Sequence, residues 1–499
     1  MCKSSIFFKS LPLVAAAALS FPLCLISCSD DDEVTTPPER HWTTDGGLRA
    51  TDNLLFDNNS IGNGDKELVF TGKQTLKKGT YTLKGWVYVA AGAELTIEPG
   101  TVIRGDKQTK SALIVERGGK LFAEGSASQP IVFTSGEAKG QRKPGDWGGL
   151  ILCGKAPNNA GDQQIEGGPR SHHGGTDAAD NSGVLSYVRI EFAGYPFETD
   201  KEINGLTLGS VGSGTRIDHV QVSYSNDDSF EWFGGTVDCR HLVAFNGWDD
   251  DFDTDNGFSG RVQFGLSVRH PQIADKSQSN GFESDNDANG STAAPFTSAV
   301  FSNITLIGPK AVDEKFQNST DYINAGDYFP NNGSGLGKFQ SAMQIRRGSR
   351  LNCFNSVAIG WPIGLIIDGE KGDTPDQAAA GTMKMQGLWF ADMDVTGSDK
   401  NKSYVDEQAD GTTPSRSTLF FNSWSNHSVS AKDLLLSGAG IFTGLNANFM
   451  PSAASPLCTG ADFKGLDSWF TTVSYAGAFS PTDNWLKGWT NFDPNHTDY

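Results

Sequence analysis

Three short segments in the middle of the chain decide the fold: Ser229-Phe230-Glu231-Trp232-Phe233, Asp251-Phe252-Asp253-Thr254-Asp255 and Gly281-Phe282-Glu283-Ser284-Asp285. They align without gaps, with the first two 22 residues apart and the next two 30 apart, and each places a carboxylate directly after a phenylalanine. Neighbouring residues of a β-strand point to opposite faces. If the phenylalanines point inward, the segments predict an aromatic ladder inside the molecule and an acidic ladder outside.

Further repeats support stacked coils. Residues 86–97 and 112–123 both read as strand, glycine turn and strand, and they lie 26 residues apart. Residues 217–222 and 239–244 match at a spacing of 22 residues. A β-sandwich would not keep residue types in phase at this spacing. We therefore predict an all-β protein, a single right-handed parallel β-helix over roughly residues 80–440 with terminal caps, in which stacked coils bury a continuous apolar column.

The chain divides into four predicted parts. We assign residues 1–27 to a lipoprotein signal peptide, 28–45 to an acidic and proline-rich tether, 46–441 to the β-helix domain, and 442–499 to an aromatic-rich C-terminal cap over the open end.

Residues 41–80 are expected to cap the other end. Long Gly/Asn/Asp-rich loops at 154–183, 270–298 and 369–415 are read as insertions between strands, which in solenoids often gather on the binding face.

The N-terminal segment predicts the cellular location of the protein. An apolar run after Lys3 and Lys9 ends in Leu25-Ile26-Ser27-Cys28, which resembles a bacterial lipobox with Cys28 as the lipidated residue. An ordinary secretory signal or a short membrane helix is the alternative. The acidic residues that follow Cys28 resemble the surface-export signal of Bacteroidota lipoproteins, so we expect a lipid anchor in the outer membrane and a surface-exposed protein.

Composition narrows the class of ligand. The chain of 499 residues has 59 glycines and a net charge of −19, which argues against nucleic acid as a partner and favours metal cations or neutral and cationic ligands. Cysteines 153, 239, 353 and 458 show no zinc-type spacing. We expect Cys239 and Cys353 to be buried, because both lie in strand-like runs.

Four motifs carry a resemblance to a known group. They are LTIEPGTVI (95–103), GDWGGL (145–150), FEWFGGT (230–236) and DNWLKGWTNF (483–492). With these motifs the chain resembles the right-handed parallel β-helix surface lipoproteins of Bacteroidota. The resemblance implies the fold and the surface placement, but it brings no single activity with it.

The outward acidic ladder is the candidate metal site. Its six carboxylates belong to Glu231, Asp251, Asp253, Asp255, Glu283 and Asp285. Carboxylates on adjacent coils would lie roughly 5 Å apart, and like charges at that distance cost on the order of 1 kcal/mol or more per pair.

Three hypotheses explain how this repulsion is compensated. The carboxylates bind a hard cation, most simply Ca²⁺, a pair of them acts on a glycosidic bond, or they bond to turn backbones and are solvated. Four nearby carboxylates are expected to be turn residues rather than ligands, namely Asp227, Asp228, Asp249 and Asp250.

Three further residues are candidate ligand contacts: Trp248, Gln344 and Arg346. Trp248 comes just before an acidic strand and is expected to stack on a ligand, whereas Trp232 shares the inward parity of Phe230 and is expected in the core. Arg346 either pairs with acidic residues across the face or binds an anionic group of the ligand.

The function that follows is ligand capture without catalysis. We expect a surface lipoprotein that binds an extracellular ligand such as a glycan and works with an outer-membrane, TonB-dependent transporter. The alternative is a calcium-dependent polysaccharide lyase, an enzyme class that shares this pectin-lyase-like solenoid, or a glycoside hydrolase; a lyase would need Arg346 or Arg347 as its base. A surface scaffold or adhesin is the third hypothesis.

Overall fold

Short parallel strands form most of the described chain. The computed structural model describes residues 59–65, 67–198, 201–399, 414–436 and 448–499. In chain order the strands are β1 (Ser60–Ile61), β2 (Leu68–Phe70), β3 (Lys73–Leu76), β4 (Thr80–Leu83), β5 (Trp86–Val89), β6 (Glu94–Ile97), β7 (Val102–Gly105), β8 (Ala112–Val115), β9 (Lys120–Glu124), β10 (Ile131–Ser135), β11 (Gly149–Cys153), β12 (Gln163–Gln164), β13 (His172–His173), β14 (Gly183–Glu191), β15 (Pro196–Glu198), β16 (Lys201–Glu202), β17 (Leu206–Gly209), β18 (Arg216–Ser223), β19 (Phe230–Phe233), β20 (Asp238–Phe245), β21 (Phe252–Asp255), β22 (Arg261–Val268), β23 (Phe282–Ser284), β24 (Val300–Ile307), β25 (Ser341–Ile345), β26 (Asn352–Phe354), β27 (Val357–Ile359), β28 (Ile363–Ile367), β29 (Met385–Gln386), β30 (Trp389–Ala391), β31 (Val395–Ser398) and β32 (His427–Val429).

Helices are few in the same ranges. The α-helices are α1 (Pro309–Val312), α2 (Thr374–Ala379) and α3 (Arg416–Ser423), and the 3-10 helices are Gly326–Tyr328, Ala431–Leu434, Pro456–Thr459 and Pro494–His496. None of the helices in the described ranges is long and apolar enough to cross a membrane.

Two parallel sheets make up the solenoid. Sheet A contains eleven strands in the order β2, β5, β8, β11, β17, β19, β21, β23, β25, β28 and β31. Sheet B contains seventeen strands from the remaining sides of the coils, and the short pairs β12–β13 and β15–β16 are antiparallel hairpins. This is the right-handed parallel β-helix that the repeats predicted.

The long strands of sheet B turn a corner at one residue each. In β14, β18, β20, β22 and β24 this residue has a positive φ, and the residues are Tyr187, His219, His241, Phe264 and Asn303. The chain can therefore pass from one side of the coil to the next without interrupting the stack of strands.

The predicted aromatic ladder lies in the interior. Phe230 pairs in register with Phe252, and Phe252 pairs with Phe282. Their ring centroids lie 5.7 Å and 5.4 Å apart, and all three side chains are buried. Trp232 is buried beside them, as its parity predicted, and Cys239 and Cys353 are buried thiols, as expected.

The C-terminal segment lies along the side of the solenoid and not over its end, which differs from the predicted cap. Residues 448–499 run back across the outer face of sheet B. Gln263 exchanges two hydrogen bonds with the backbone of Thr471, each 2.8 Å long, and the Tyr499 hydroxyl donates to Glu191. The segment thus forms hydrogen bonds with outward polar residues of sheet B. If the segment covered only the end of the solenoid, these residues would be exposed to solvent.

The ends of the solenoid are formed differently from the prediction. Helix α3 packs on the last coils, where Phe421 stacks on Phe390 at 4.4 Å and the Ser417 hydroxyl accepts the Ile367 N–H. At the other end, residues 60–83 already form strands β1–β4, although a cap was predicted up to residue 80. The rest of that predicted cap, the tether and Cys28 lie outside the described residues.

Candidate functional site

One column of outward side chains runs along sheet A and changes in character from coil to coil. In register it contains Tyr88, Ile114, Ile151, Thr207, Glu231, Asp253, Glu283, Gln344 and Ile366. The first coils present apolar side chains, which are buried with Ile165 from the 154–183 insertion. The central coils present the acidic ladder predicted from the sequence.

The acidic ladder is not a freely solvated surface. Glu231 is only 7% exposed, and the side chain of Glu283 is 15% exposed. Asn159, from the 154–183 insertion, donates to the backbone oxygen of Asn286 at 2.7 Å, so this insertion reaches the coil of β23. The carboxylates therefore lie in a partly covered cleft, where charge repulsion is screened less than in water.

A column of Asn and Asp side chains closes the turn before each of these strands. Asn204 accepts the N–H of Asp228 at 3.2 Å, and Asp228 accepts the N–H of Asp250 at 2.8 Å. Asp250 accepts the N–H of Asn280, and Asn280 accepts the N–H of Ser341 at 3.1 Å. Asp228 and Asp250 thus bond to turn backbones, as predicted.

Asp228 also belongs to a carboxylate triad with Glu231 and Asp253. One oxygen from each of the three lies within 4.8 Å of the others, and Asp227, Asp228 and Asp249 form a similar group. Asn204 donates to one oxygen of Glu231. The Oδ1 atom of Asp253 is buried and has no hydrogen-bond partner among the residues that the structure describes. Within the described ranges no ion pair involves any member of the triad.

Burial and mutual repulsion raise the pKa values of carboxylates in the cleft. Burial, followed by the neighbouring carboxylates, raises the pKa of Asp228, Glu231 and Asp253 well above the usual range. Burial and the Asp285 carboxylate raise the pKa of Asp255 to about 8. The negative charge at this position is therefore destabilised unless a cation joins it.

The next coils neutralise their own carboxylates. Arg346 pairs with Glu283 and, at 2.8 Å, with Asp285, while Arg347 pairs with Asp285 at 2.6 Å. The ion-pair alternative for Arg346 is thus the one that the structure shows. Glu283 and Asp285 therefore have ion-pair partners, whereas the triad has none among the described residues.

Asp251 does not join the cleft. It lies 3.0 Å from Arg269, both side chains are fully buried, and the Ser267 hydroxyl donates to its other oxygen. Strand β21 begins at Phe252, so the alternation of faces does not extend back to Asp251. Its assignment to the acidic face was therefore wrong.

Trp248 and Gln344 are buried as well. Trp248 has no exposed surface, and its indole N–H donates to the Gly335 oxygen at 2.9 Å, so it cannot stack on a ligand and its predicted exposure was wrong. Gln344 is 1% exposed and contacts Asn280 and Asp368. Its place in the ladder was predicted, but its amide is occupied by the protein.

Sequence reasoning missed Asn204, and it assigned Asp228 to the turn residues rather than the ligands, whereas the structure places Asp228 both in the turn and beside Glu231 and Asp253. The signal that could have found them is an Asn or Asp two residues before the first residue of each strand. These residues are Asn204 before β17, Asp228 before β19, Asp250 before β21 and Asn280 before β23. Extending the alignment of the three segments by one residue would have found this column.

The residues of the triad fit a hard divalent cation. All their donors are oxygens, three lie close together, and one is a buried carboxylate oxygen without a partner. Ca²⁺ takes six to eight oxygens from carboxylates, carbonyls and water, and charge at such a site offsets carboxylate repulsion. The structure therefore contains an acidic cluster that could hold a metal ion.

Comparison with known proteins gives a family. No curated protein sequence matches the chain. Among solved structures, the crystal structure of pectate lyase Pel9A is similar at 13% identity and a TM-score of 0.39, covering 83% of this chain and 88% of that chain. The Dettilon tailspike protein is similar at 11% identity and a TM-score of 0.23, covering 74% and 63%. The pectate-lyase-like β-helix domain family matches residues 68–427, more than half of the chain, and the protein belongs to this family.

Proposed function

We propose that this protein captures an acidic extracellular polysaccharide through a divalent cation, most simply Ca²⁺, held by Asp228, Glu231 and Asp253. The observation that carries the proposal is the carboxylate triad itself, which has no ion-pair partner among the described residues and includes an Oδ1 atom of Asp253 that accepts no hydrogen bond from them. A cation there would relieve the repulsion between the carboxylates and leave coordination positions for oxygens of a ligand.

The class of ligand follows from charge and fold. The chain has a net charge of −19, so an acidic glycan would be repelled without a bridging cation. A pectate-lyase-like β-helix is a fold that could bind or act on polysaccharide. Carboxylates of the glycan and of the cleft would share the ion.

Binding is favoured over a lyase reaction by the ion pairs of the two candidate bases, Arg346 and Arg347, the second of which lies 2.6 Å from Asp285. Although burial alone would lower the pKa of Arg346, the carboxylates of Glu283 and Asp285 raise it above its ordinary value. A guanidinium held in its charged form by two carboxylates cannot accept the proton that a lyase removes from the sugar ring.

A second candidate is hydrolysis of a glycosidic bond. One observation favours it: Glu231 and Asp253 lie close together, and burial raises the pKa of Glu231 in the direction required of a general acid.

The proposed address is the outer face of the outer membrane, with a lipid anchor at Cys28 and delivery of the glycan to a TonB-dependent transporter. The lipobox-like sequence and the acidic run after Cys28 support it. Cys28→Ala should release the protein from the membrane fraction, and protease added to intact cells should remove the wild-type protein. Wild-type protein that resists protease on intact cells would argue against surface exposure.

The function is tested by retention on immobilised polygalacturonate, with dextran as a neutral control. Wild-type protein should be retained in Ca²⁺ and released by chelator, and Asp253→Asn should not be retained. The matched control Asp327→Asn, which removes an exposed carboxylate elsewhere, should behave as wild type. The proposal would be contradicted if neither chelator nor the Asp253→Asn substitution reduced retention. Release of unsaturated products would identify a lyase, and release of new reducing ends would identify a hydrolase.

A further inference from the structure

A second group of donor atoms lies at the corner of sheet B, in different strands from the acidic cleft. His219 in β18 and His241 in β20 occupy consecutive positions of the corner column, with φ values of 58° and 54°. Their rings stack with centroids 4.2 Å apart. Asp218 comes directly before His219, so the corner brings two imidazoles and one carboxylate together.

Donor atoms of the three side chains lie close together. The Nδ1 atom of His241 lies 2.7 Å from Oδ1 of Asp218 and is hydrogen-bonded to it. The Nδ1 atom of His219 lies 2.9 Å from the same oxygen. One ligand atom from each residue lies within 4.8 Å of the others.

The surroundings hold both rings in place and leave limited access. Tyr187 stacks on the far side of His219 at 4.3 Å, and Phe264 stacks on His241 at 5.2 Å. The side chains of Asp218, His219 and His241 are 31%, 13% and 21% exposed. Packing thus fixes the ring orientations, which reduces the entropy lost when an ion binds.

We propose that Asp218, His219 and His241 bind one transition-metal ion of the Zn²⁺ class. Two imidazole nitrogens and a carboxylate oxygen are a donor set that Zn²⁺ accepts, unlike the all-oxygen cleft of sheet A. The three protein donors leave a fourth tetrahedral position for water or a small ligand. The ion joins adjacent strands and therefore stabilises the stack of β18 on β20.

The test is a calorimetric titration with Zn²⁺ in the presence of excess Ca²⁺. Wild-type protein should bind one Zn²⁺ per chain at this corner. The double variant His219→Asn, His241→Asn should lose at least about tenfold in affinity. Asparagine suits this corner, because Asn303 and Asn355 adopt the same positive φ in later coils, at 59° and 50°. The control His172→Asn removes a half-exposed histidine and should bind Zn²⁺ as wild type does.

Two further measurements keep the proposal falsifiable if the double variant folds poorly. Asp218→Asn preserves size and should also lose affinity. The rings of Trp489 and Trp485 lie 5.5 Å from His219 and 5.1 Å from His241, so Cu²⁺ bound at the corner should quench tryptophan fluorescence in wild type and not in Asp218→Asn. Absence of Zn²⁺ binding by wild type, or undiminished binding by folded variants, would overturn the proposal.

Discussion

Asp253 and Glu283 occupy equivalent positions on neighbouring strands, yet their surroundings give them different roles. Glu283 forms an ion pair with Arg346, whereas the buried Oδ1 atom of Asp253 accepts no hydrogen bond within the described ranges. Burial and adjacent carboxylates make the ionised form of Asp253 unfavourable in the protein alone. At the scale of single residues, the candidate site is therefore a group of buried carboxylates that form no ion pair with any cation in the described part of the chain.

The pH dependence of stability should report this charge. The pKa of Asp255 is raised to about 8 in the folded protein, so the folded state binds more protons than the unfolded state below that pH, and stability falls as pH rises toward it. In chelator, lowering the pH from about 8.5 to about 7 should raise the melting temperature. Saturating Ca²⁺ should reduce this gain.

This pH range lies above the range in which four histidines with a lowered pKa act in the opposite sense, namely His173, His241, His270 and His427. Burial lowers the pKa of both His173 and His270 to about 4, so their contribution to stability is lost only as pH falls below the ordinary histidine value. If the melting temperature in chelator stays constant or falls when the pH is lowered from about 8.5 to about 7, the carboxylates do not repel one another as we expect.

Asp251 provides a contrasting test at the same scale. Asp251→Asn leaves the buried Arg269 without its counterion, so the free energy of unfolding should fall by about 3–5 kcal/mol. Because Asp251 lies outside the cleft, the rise in melting temperature caused by Ca²⁺ should persist in this variant. Loss of the Ca²⁺ response in folded Asp251→Asn would place this residue in the site after all.

At the scale of elements, the stacked turns hold the acidic strands in register. Asn204, Asp228, Asp250 and Asn280 each bond to the backbone of the next coil. Every such bond fixes the start of a strand of sheet A, and with it the face on which the following carboxylate lies. The position of the triad therefore depends on this column of turns as well as on the strands.

Removing one bond of the column should be measurable. Asn280→Ala leaves the N–H of Ser341 without its acceptor, so chemical denaturation should show a loss of about 1–3 kcal/mol. Asn280→Asp retains an acceptor, as Asp250 does one coil earlier, and should recover part of the loss. Equal stability of Asn280→Ala and wild type would show that the column does not hold the register.

Strand positions were predictable, and the contacts of the insertions were not. Phe230, Phe252 and Phe282 repeat at coil length, and alternation in a strand assigns their neighbours to the outer face. Alternation fails at Asp251, because the strand begins one residue later. Trp248 resembled an exposed aromatic residue, but Gly335, 87 residues away in the chain, covers it. Such contacts leave no periodic signal.

At the scale of the whole molecule, the C-terminal segment fastens the solenoid along its length. Its aromatic residues indicated burial, but the sequence does not show which surface they cover. In the structure Trp489 is buried against sheet B, and the Tyr499 hydroxyl bonds to Glu191, 308 residues earlier in the chain. The segment thus bridges coils that are far apart in the chain.

Deletion of residues 448–499 should destabilise the entire solenoid. The outer apolar residues of sheet B, such as Val243 and Leu266, would become exposed to water. We expect a lower melting temperature and stronger binding of a hydrophobic dye. Tyr499→Phe, the matched control, removes only the hydroxyl and should cost about 1 kcal/mol. A deletion variant with the melting temperature of wild type would show that the segment does not stabilise the solenoid.

The central claim is that the triad of Asp228, Glu231 and Asp253 holds a divalent cation, and a calorimetric titration of Ca²⁺ into chelator-treated protein tests it most directly. Wild type and Asp327→Asn should bind Ca²⁺ in the cleft, and a hundredfold excess over the dissociation constant should stabilise them by about 2.7 kcal/mol. Asp253→Asn should lose both the binding and the stabilisation, and in chelator it should be more stable than wild type. Failure of wild type to bind Ca²⁺, or equal binding by Asp253→Asn, would contradict the account.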